Sequence, residues 1–271
     1  MSNPVAGQRV EVAGQRVEIV LIYQSLLGLY GDRGNATVLI KRLAWRGYEP
    51  VLTIVEPGDR LPNTGHIYLL GGGEDAAQVS AVRALKADGG LYRAVDRRAA
   101  VLAVCAGYQI VGKSFTVGYQ DDVISGLGLL DVTTTRGPVR AVGEIISRWN
   151  GRDGNEQWLT GFENHGGYTR LGPGVKPLAS VEIGIGNCDD GTEGAVAGTV
   201  IGTYPHGPLL ARNPALADHI LELALGHELP PLVHPEIDKL RRQRLARVRR
   251  STARRRGRPR VQTQQLGSRS R

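Results

Sequence analysis

Cysteine is scarce in this sequence: Cys105 and Cys188 are the only two in 271 residues. A lone pair in a chain of this size is no disulfide framework, so each reads as a free thiol. Long apolar runs are missing as well. Nothing approaches the ~18 uninterrupted apolar residues of a spanning helix, and the N-terminus lacks the charged, greasy and small-residue pattern of a secretory leader. These absences exclude a membrane-spanning protein and point to the cytoplasm. Acidic residues are absent from Leu240 to Arg271, where thirteen of the chain's 34 basic residues fall, all of them arginine. The remainder then holds 21 basic against 26 acidic residues. The net charge of +8 therefore describes the tail and not the domain, which removes the main argument for a nucleic-acid-binding protein.

What is present suits one catalytic domain with tails, since domains usually run to roughly 100 to 200 residues. Hydrophobic residues at 41% and charged residues at 22% are ordinary for a globular protein. A tandem heptad, Val5–Glu11 repeated as Val12–Glu18, opens the chain. Two copies cannot stack into a solenoid, so residues 1–18 are expected to be disordered. The domain is expected over 19–238, with an Arg-rich, disordered tail over 239–271, where charge repulsion meets little apolar periodicity.

Within the domain, Val-, Ile- and Leu-rich strand segments near 19–23, 50–55, 66–70 and 100–104 alternate with helical spacing over 35–46 and 78–91. That alternation predicts an α/β fold with a mostly parallel, mixed central sheet flanked by helices. Chemistry in such sheets collects at the carboxyl ends of strands. The second half is richer in glycine, with short β-like pieces over 143–148, 177–183 and 195–204 that are expected to extend the sheet. Asn213–Leu225 reads as a helix capped by Asn213, with Pro214 in its first turn and Gly226 as its stop.

Three segments carry chemistry. Ala100–Val104 should end a buried strand and Ala106–Gln109 begin a helix, which puts Cys105 on a nucleophile elbow. Small neighbours Ala103, Ala106 and Gly107 suit so sharp a turn, and a helix N-terminus favours a thiolate. A buried, inert cysteine is the competing reading. Gly71-Gly72-Gly73 follows a strand and is able to aim backbone N–H groups outward, although an ordinary loop would look the same. Val200–Pro208 runs from a strand into a tight turn with His206 at its mouth, and histidine titrates near pH 6.5. Of the other histidines, His66, His219, His227 and His234 lie in less suitable places, while His165 is a substrate-side candidate.

Cys-x-Gly-x-Gln at Cys105, Gly107 and Gln109, the strand-terminal glycine loop, and Gly-Thr-Tyr-x-His-Gly at 202–207 resemble the cobyric acid synthase-type branch of the class I glutamine amidotransferases. Within that branch Tyr30–Asn35, Val139–Gly143 and Gly161–Gly167 are similar to the glutaminase subunits of lipid II isoglutaminyl synthases. The likeness spans about Ile19 to Pro230. It implies a flavodoxin-like architecture and hydrolysis of L-glutamine through a thioester on Cys105, with His206 moving the protons. It also implies an oxyanion held by amides near Gly71, Gly72 and Ala106, and an Arg140 that grips the substrate carboxylate, with Arg136 as its rival. Gln109 either contacts the bound glutamine or faces the helix interior. No metal or cofactor is expected in this subunit. ATP and Mg would belong to a Mur ligase-like partner in a heterodimer, which would amidate lipid II.

One departure stands out. Where many class I enzymes have His-x-Glu, His206 is followed by Gly207 and Pro208, so a third carboxylate must come from elsewhere, from a partner, or be absent. The strongest competing motif is Gly107–Ser114, which matches the phosphate-loop pattern G-x-x-x-x-G-K-S. Nucleic-acid binding through the arginine tail is the other.

Overall fold

The computed structural model describes residues 14–28, 31–151, 154 and 156–256. It divides into two units, Met1–Leu232 and Val233–Arg271. The first unit begins β1 (Arg16–Ile22), α1 (Gln24–Leu27), α2 (Arg33–Ala44), β2 (Glu49–Val55), β3 (Ile67–Leu70), α3 (Asp75–Asp88), α4 (Gly90–Asp96), β4 (Ala100–Val104) and α5 (Ala106–Val111). It continues with β5 (Ser114–Val117), β6 (Asp122–Ser125), β7 (Val132–Trp149), β8 (Gln157–Leu171), β9 (Ala179–Ile183), β10 (Thr192–Glu193), β11 (Ala195–Ala197), β12 (Val200–Thr203), α6 (Leu209–Arg212) and α7 (Pro214–Leu225). The second unit holds α8 (Pro235–Arg256).

The first sheet has the order β11-β12-β4-β3-β1-β2 and is parallel except for β11 against β12. Its middle strands β3 and β4 are buried along their whole length, the pattern of strands covered on both faces. The step from β1 to β2 runs opposite to the step from β3 to β4. Right-handed crossovers therefore place α2 on one face and α3–α4 on the other. The strands read from the sequence are recovered to within about three residues at each end.

Several expectations are corrected. The pieces over 143–148 and 177–183 do not join the central sheet. They belong to β7 and β9 of a second sheet, order β10-β9-β7-β5-β6, with β8 paired on β7 and only β5 and β7 parallel. β7 and β8 bond each other over a long antiparallel register, and β7 leaves Thr133, Thr135, Arg136, Val142 and Arg148 exposed, unlike the fully buried middle strands of the first sheet. Only β11 and β12 extend the first sheet.

The helix expected over 78–91 is two helices. Gly89, at φ +66°, ends α3, and α4 restarts at Gly90. Asn213 precedes α7 without capping it; its amide instead bridges Thr160 N–H, Thr160 C=O and Leu209 C=O at 2.8–2.9 Å.

At the N-terminus, β1 takes in Arg16, Val17 and Glu18 of the second heptad copy, with Val17 fully buried; the first copy and Tyr30 lie outside the described residues. The expectation of a disordered tail meets a helix as far as Arg256. Arginine is a good helix former, and Glu236 and Asp238 in the first turn match the helix dipole. Residues 257–271 lie outside the described set. No helix among the described residues is long and apolar enough to cross a membrane.

Candidate active site

The site is assembled where β1, β3, β4 and β12 release the chain at their carboxyl ends. Cys105 leaves β4 at φ 54°, ψ −105°, outside the regions a non-glycine residue favours. Its N–H donates to Thr203 C=O at 2.8 Å, and its own carbonyl accepts the N–H of Gln109 at 3.1 Å, starting α5. Gly107 N–H donates to Gly71 C=O at 3.0 Å. A Cβ at Gly107 would lie 2.8 Å from Leu70 O, so only glycine lets β3 and α5 come this close. Cys105 is 7% exposed, yet it lines the cleft described below rather than a closed core.

His206 is fixed by its backbone. Its N–H donates to Phe162 C=O at 2.9 Å and its carbonyl accepts Phe162 N–H at 3.1 Å, so the Gly161–Gly167 segment of β8 sets where the imidazole stands. The ring is buried and interacts with Cys105. Its Nδ1 lies 3.3 Å from Asp32 Oδ1. Burial works against a charged imidazole, but the hydrogen bonds to Asp32 and Cys105 and their charge prevail and raise its pKa to about 10.

The carboxylate beside the imidazole is thus Asp32, 174 residues upstream of His206. Its other oxygen, Oδ2, accepts Gly72 N–H at 2.8 Å. The first turn of α2, which Asp32 precedes, also props the histidine turn. Gly34 faces the Pro208 ring so closely that a Cβ would lie 2.1 Å from it, and Asn35 Oδ1 accepts Leu210 N–H at 3.0 Å. Sequence reading used this Gly-Asp-Arg-Gly-Asn stretch only as part of a resemblance. An aspartate between glycines just past the first strand was the available signal. His234-Pro235-Glu236, the segment that spells His-x-Glu, lies at the start of α8 in the second unit.

A cleft of about 440 Å³ opens over the thiol, lined among others by Gly73, Ala106, Gln109, Arg136, Arg140 and His165. Gly71 and Gly72 do not line it, and Gly72 N–H is engaged by Asp32, so of the triple glycine it is Gly73 that faces the cleft. The pairing of β7 with β8 shifts register between Arg136 and Ala141, and Arg140 sits in that irregularity. Its Nε donates to Asn164 Oδ1 at 3.0 Å, and it joins no ion pair among the described residues. Arg136, its rival, is bound to Asp121 at 2.6 Å.

Gln109 stands at the cleft with its amide already engaged by protein partners. It lines the cleft, while its amide accepts from Gln78 Nε2 at 2.7 Å and donates to the Tyr204 hydroxyl at 3.3 Å. His165 stacks on Tyr204 with ring centroids 3.6 Å apart, and its Nδ1 is 2.8 Å from Gly167 O. Beneath lies a residue that sequence reading missed. Glu193, fully buried, accepts Tyr204 N–H at 2.8 Å and the Thr203 hydroxyl at 3.0 Å, tying down the end of β12 just before His206. Burial pushes its carboxyl up to about 7.

The phosphate-loop reading fails on geometry. Gly107 to Val111 is helix, with Tyr108, Ile110 and Val111 fully buried, and Ser114 begins a strand. Lys113 is paired with Asp131. No loop is left for amides to wrap a phosphate.

Residues 18–214 match the model of the CobB/CobQ-like glutamine amidotransferase domain. The lipid II isoglutaminyl synthase (glutamine-hydrolyzing) subunit GatD of Staphylococcus aureus (strain N315) is 34% identical over 215 residues, which cover 78% of this chain and 86% of that one. The GatD subunit of Streptococcus pneumoniae (strain ATCC BAA-255 / R6) is 33% identical over 211 residues, with coverage of 76% and 80%. Among solved structures, a glutamine amidotransferase at 22% identity has a TM-score of 0.50 and covers 76% of this chain and 98% of its own. PurLQS from Thermotoga maritima, at 16% identity, has a TM-score of 0.52 with coverage of 79% and 98%; both share the fold. The chain belongs to the CobB/CobQ-like glutamine amidotransferase family and is a glutamine-hydrolysing enzyme.

Proposed function

We propose that this chain is the glutaminase subunit of a cytoplasmic lipid II isoglutaminyl synthase. The observation that carries the catalytic part is the line Cys105–His206–Asp32, whose thiol end lines the cleft. His206 takes the Cys105 thiol proton and the sulfur attacks the side-chain carbonyl carbon of L-glutamine, whose α-carboxylate Arg140 holds in its fork. Backbone amides at Ala106 and in the glycine loop stabilise the oxyanion. The C–N bond breaks as His206 protonates the departing nitrogen, leaving a γ-glutamyl thioester and ammonia. His206 then takes a proton from water, which attacks the thioester and releases glutamate and the thiol. Asp32 keeps the imidazole oriented and stabilises its charged form, as the carboxylate of a triad does.

The acceptor reading rests on the names of the two GatD relatives, most of whose length this chain spans. Ammonia passes to a Mur ligase-like partner, which uses ATP and Mg to activate the α-carboxylate of D-glutamate in lipid II and forms D-isoglutamine. The test is reconstitution of the heterodimer with glutamine labelled with ¹⁵N at its amide, ATP, Mg and lipid II. Labelled nitrogen should appear in the lipid II stem peptide. Glutamine hydrolysis with unlabelled, unamidated lipid II would overturn the assignment of the acceptor.

A further inference from the structure

Outside the glutamine cleft, the largest unassigned feature is the charge of α8. Between Pro235 and Arg256 it holds nine arginines and Lys239 against only Glu236 and Asp238. Lys239, Arg242, Arg247 and Arg250 are exposed, and their spacing of i, i+3, i+8 and i+11 puts them on one face of a helix. Ile237, Leu245 and Val248 lie on a different face and are half-buried or buried. Two large apolar side chains of this unit are also exposed: Val233, just before the helix, at 78% and Leu240, within it, at 65%.

We propose that α8 docks the chain on an anionic phospholipid surface. The Lys239, Arg242, Arg247 and Arg250 heads pair with lipid phosphates, while Leu240 and Val233 enter the headgroup boundary. A cationic cluster of this size has the composition that anionic leaflets attract, and the guanidinium fork matches phosphate. The exposed leucine and valine gain from a headgroup boundary and nothing from a nucleic-acid backbone. The helix has no aromatic residue to stack on a base. The chain before Leu240 carries more acidic than basic residues, so the same surface repels it and recruitment falls to α8. Because α8 is not apolar enough to cross a bilayer, it lies on one. This inference deepens the lipid-linked acceptor reading, but its test uses vesicles that contain no acceptor.

Full-length chain is sedimented with vesicles of phosphatidylcholine and phosphatidylglycerol, and with phosphatidylcholine alone. It should pellet with the anionic vesicles only, and raised salt should release it. The triple variant Arg242→Gln, Arg247→Gln, Arg250→Gln should bind about a hundredfold more weakly, with its thermal unfolding unchanged. The proposal is overturned if the chain ignores anionic vesicles, if the triple variant binds as before, or if a random DNA duplex strips the chain from the vesicles. A chain that binds no vesicle yet still supplies labelled nitrogen to lipid II would overturn the docking alone and leave the acceptor reading standing.

Discussion

Asp32 holds two groups at once, the imidazole of His206 through Oδ1 and the N–H of Gly72 through Oδ2, and it is itself buried. Replacing it by asparagine keeps the shape and removes the charge. Asp32→Asn should therefore lower kcat by about 10²- to 10⁴-fold, with a much smaller effect on KM, in steady-state glutaminase assays. His206 also ties stability to pH. Its pKa lies near 6.5 in the unfolded chain and at about 10 in the folded one. The stability it contributes is fully present below the lower value and is lost as pH rises through the upper one. Urea midpoints across that window should fall in the wild type and stay flatter in His206→Gln. Cys105 and His206 were legible because each is a chemically capable residue at the end of a recognisable strand. Asp32 was not, because local patterns hold no information about which distant loops meet. Glu193 was hidden for the same reason, in a two-residue strand with no pattern of its own.

Elements matter here through how closely they approach. The elbow depends on α5 starting directly against the end of β3, where Gly107 N–H reaches Gly71 C=O and no Cβ has room. Gly107→Ala should destabilise the protein by about 1–3 kcal/mol in denaturant titrations, despite alanine's better helix propensity, because the nearest obstacle is backbone that cannot turn aside. The parallel strands were readable as short, continuous apolar runs. The second sheet was not, because β7 and β8 are long and glycine-bearing, and their pairing partners are settled by register rather than by composition. Helix α8 escaped for another reason: its cations suggested repulsion, while Ile237, Leu245 and Val248 kept a helical spacing within them.

Across the whole molecule, charge and chemistry are separated along the chain. The family match ends at residue 214, and the arginine-rich segment follows it, so the acidic catalytic part and the basic segment answer different questions. Four strand ends of the first sheet and strand β8 of the second are brought together around the site, and no one of these elements forms it alone. The central claim is that this thiol is the nucleophile, and covalent trapping tests it most directly. Incubation with the glutamine-analogue electrophile diazo-oxo-norleucine, followed by peptide mass spectrometry, should place one adduct on Cys105 and none on Cys188, and Cys105→Ser should remain unlabelled. Equal labelling of Cys105→Ser would contradict the account.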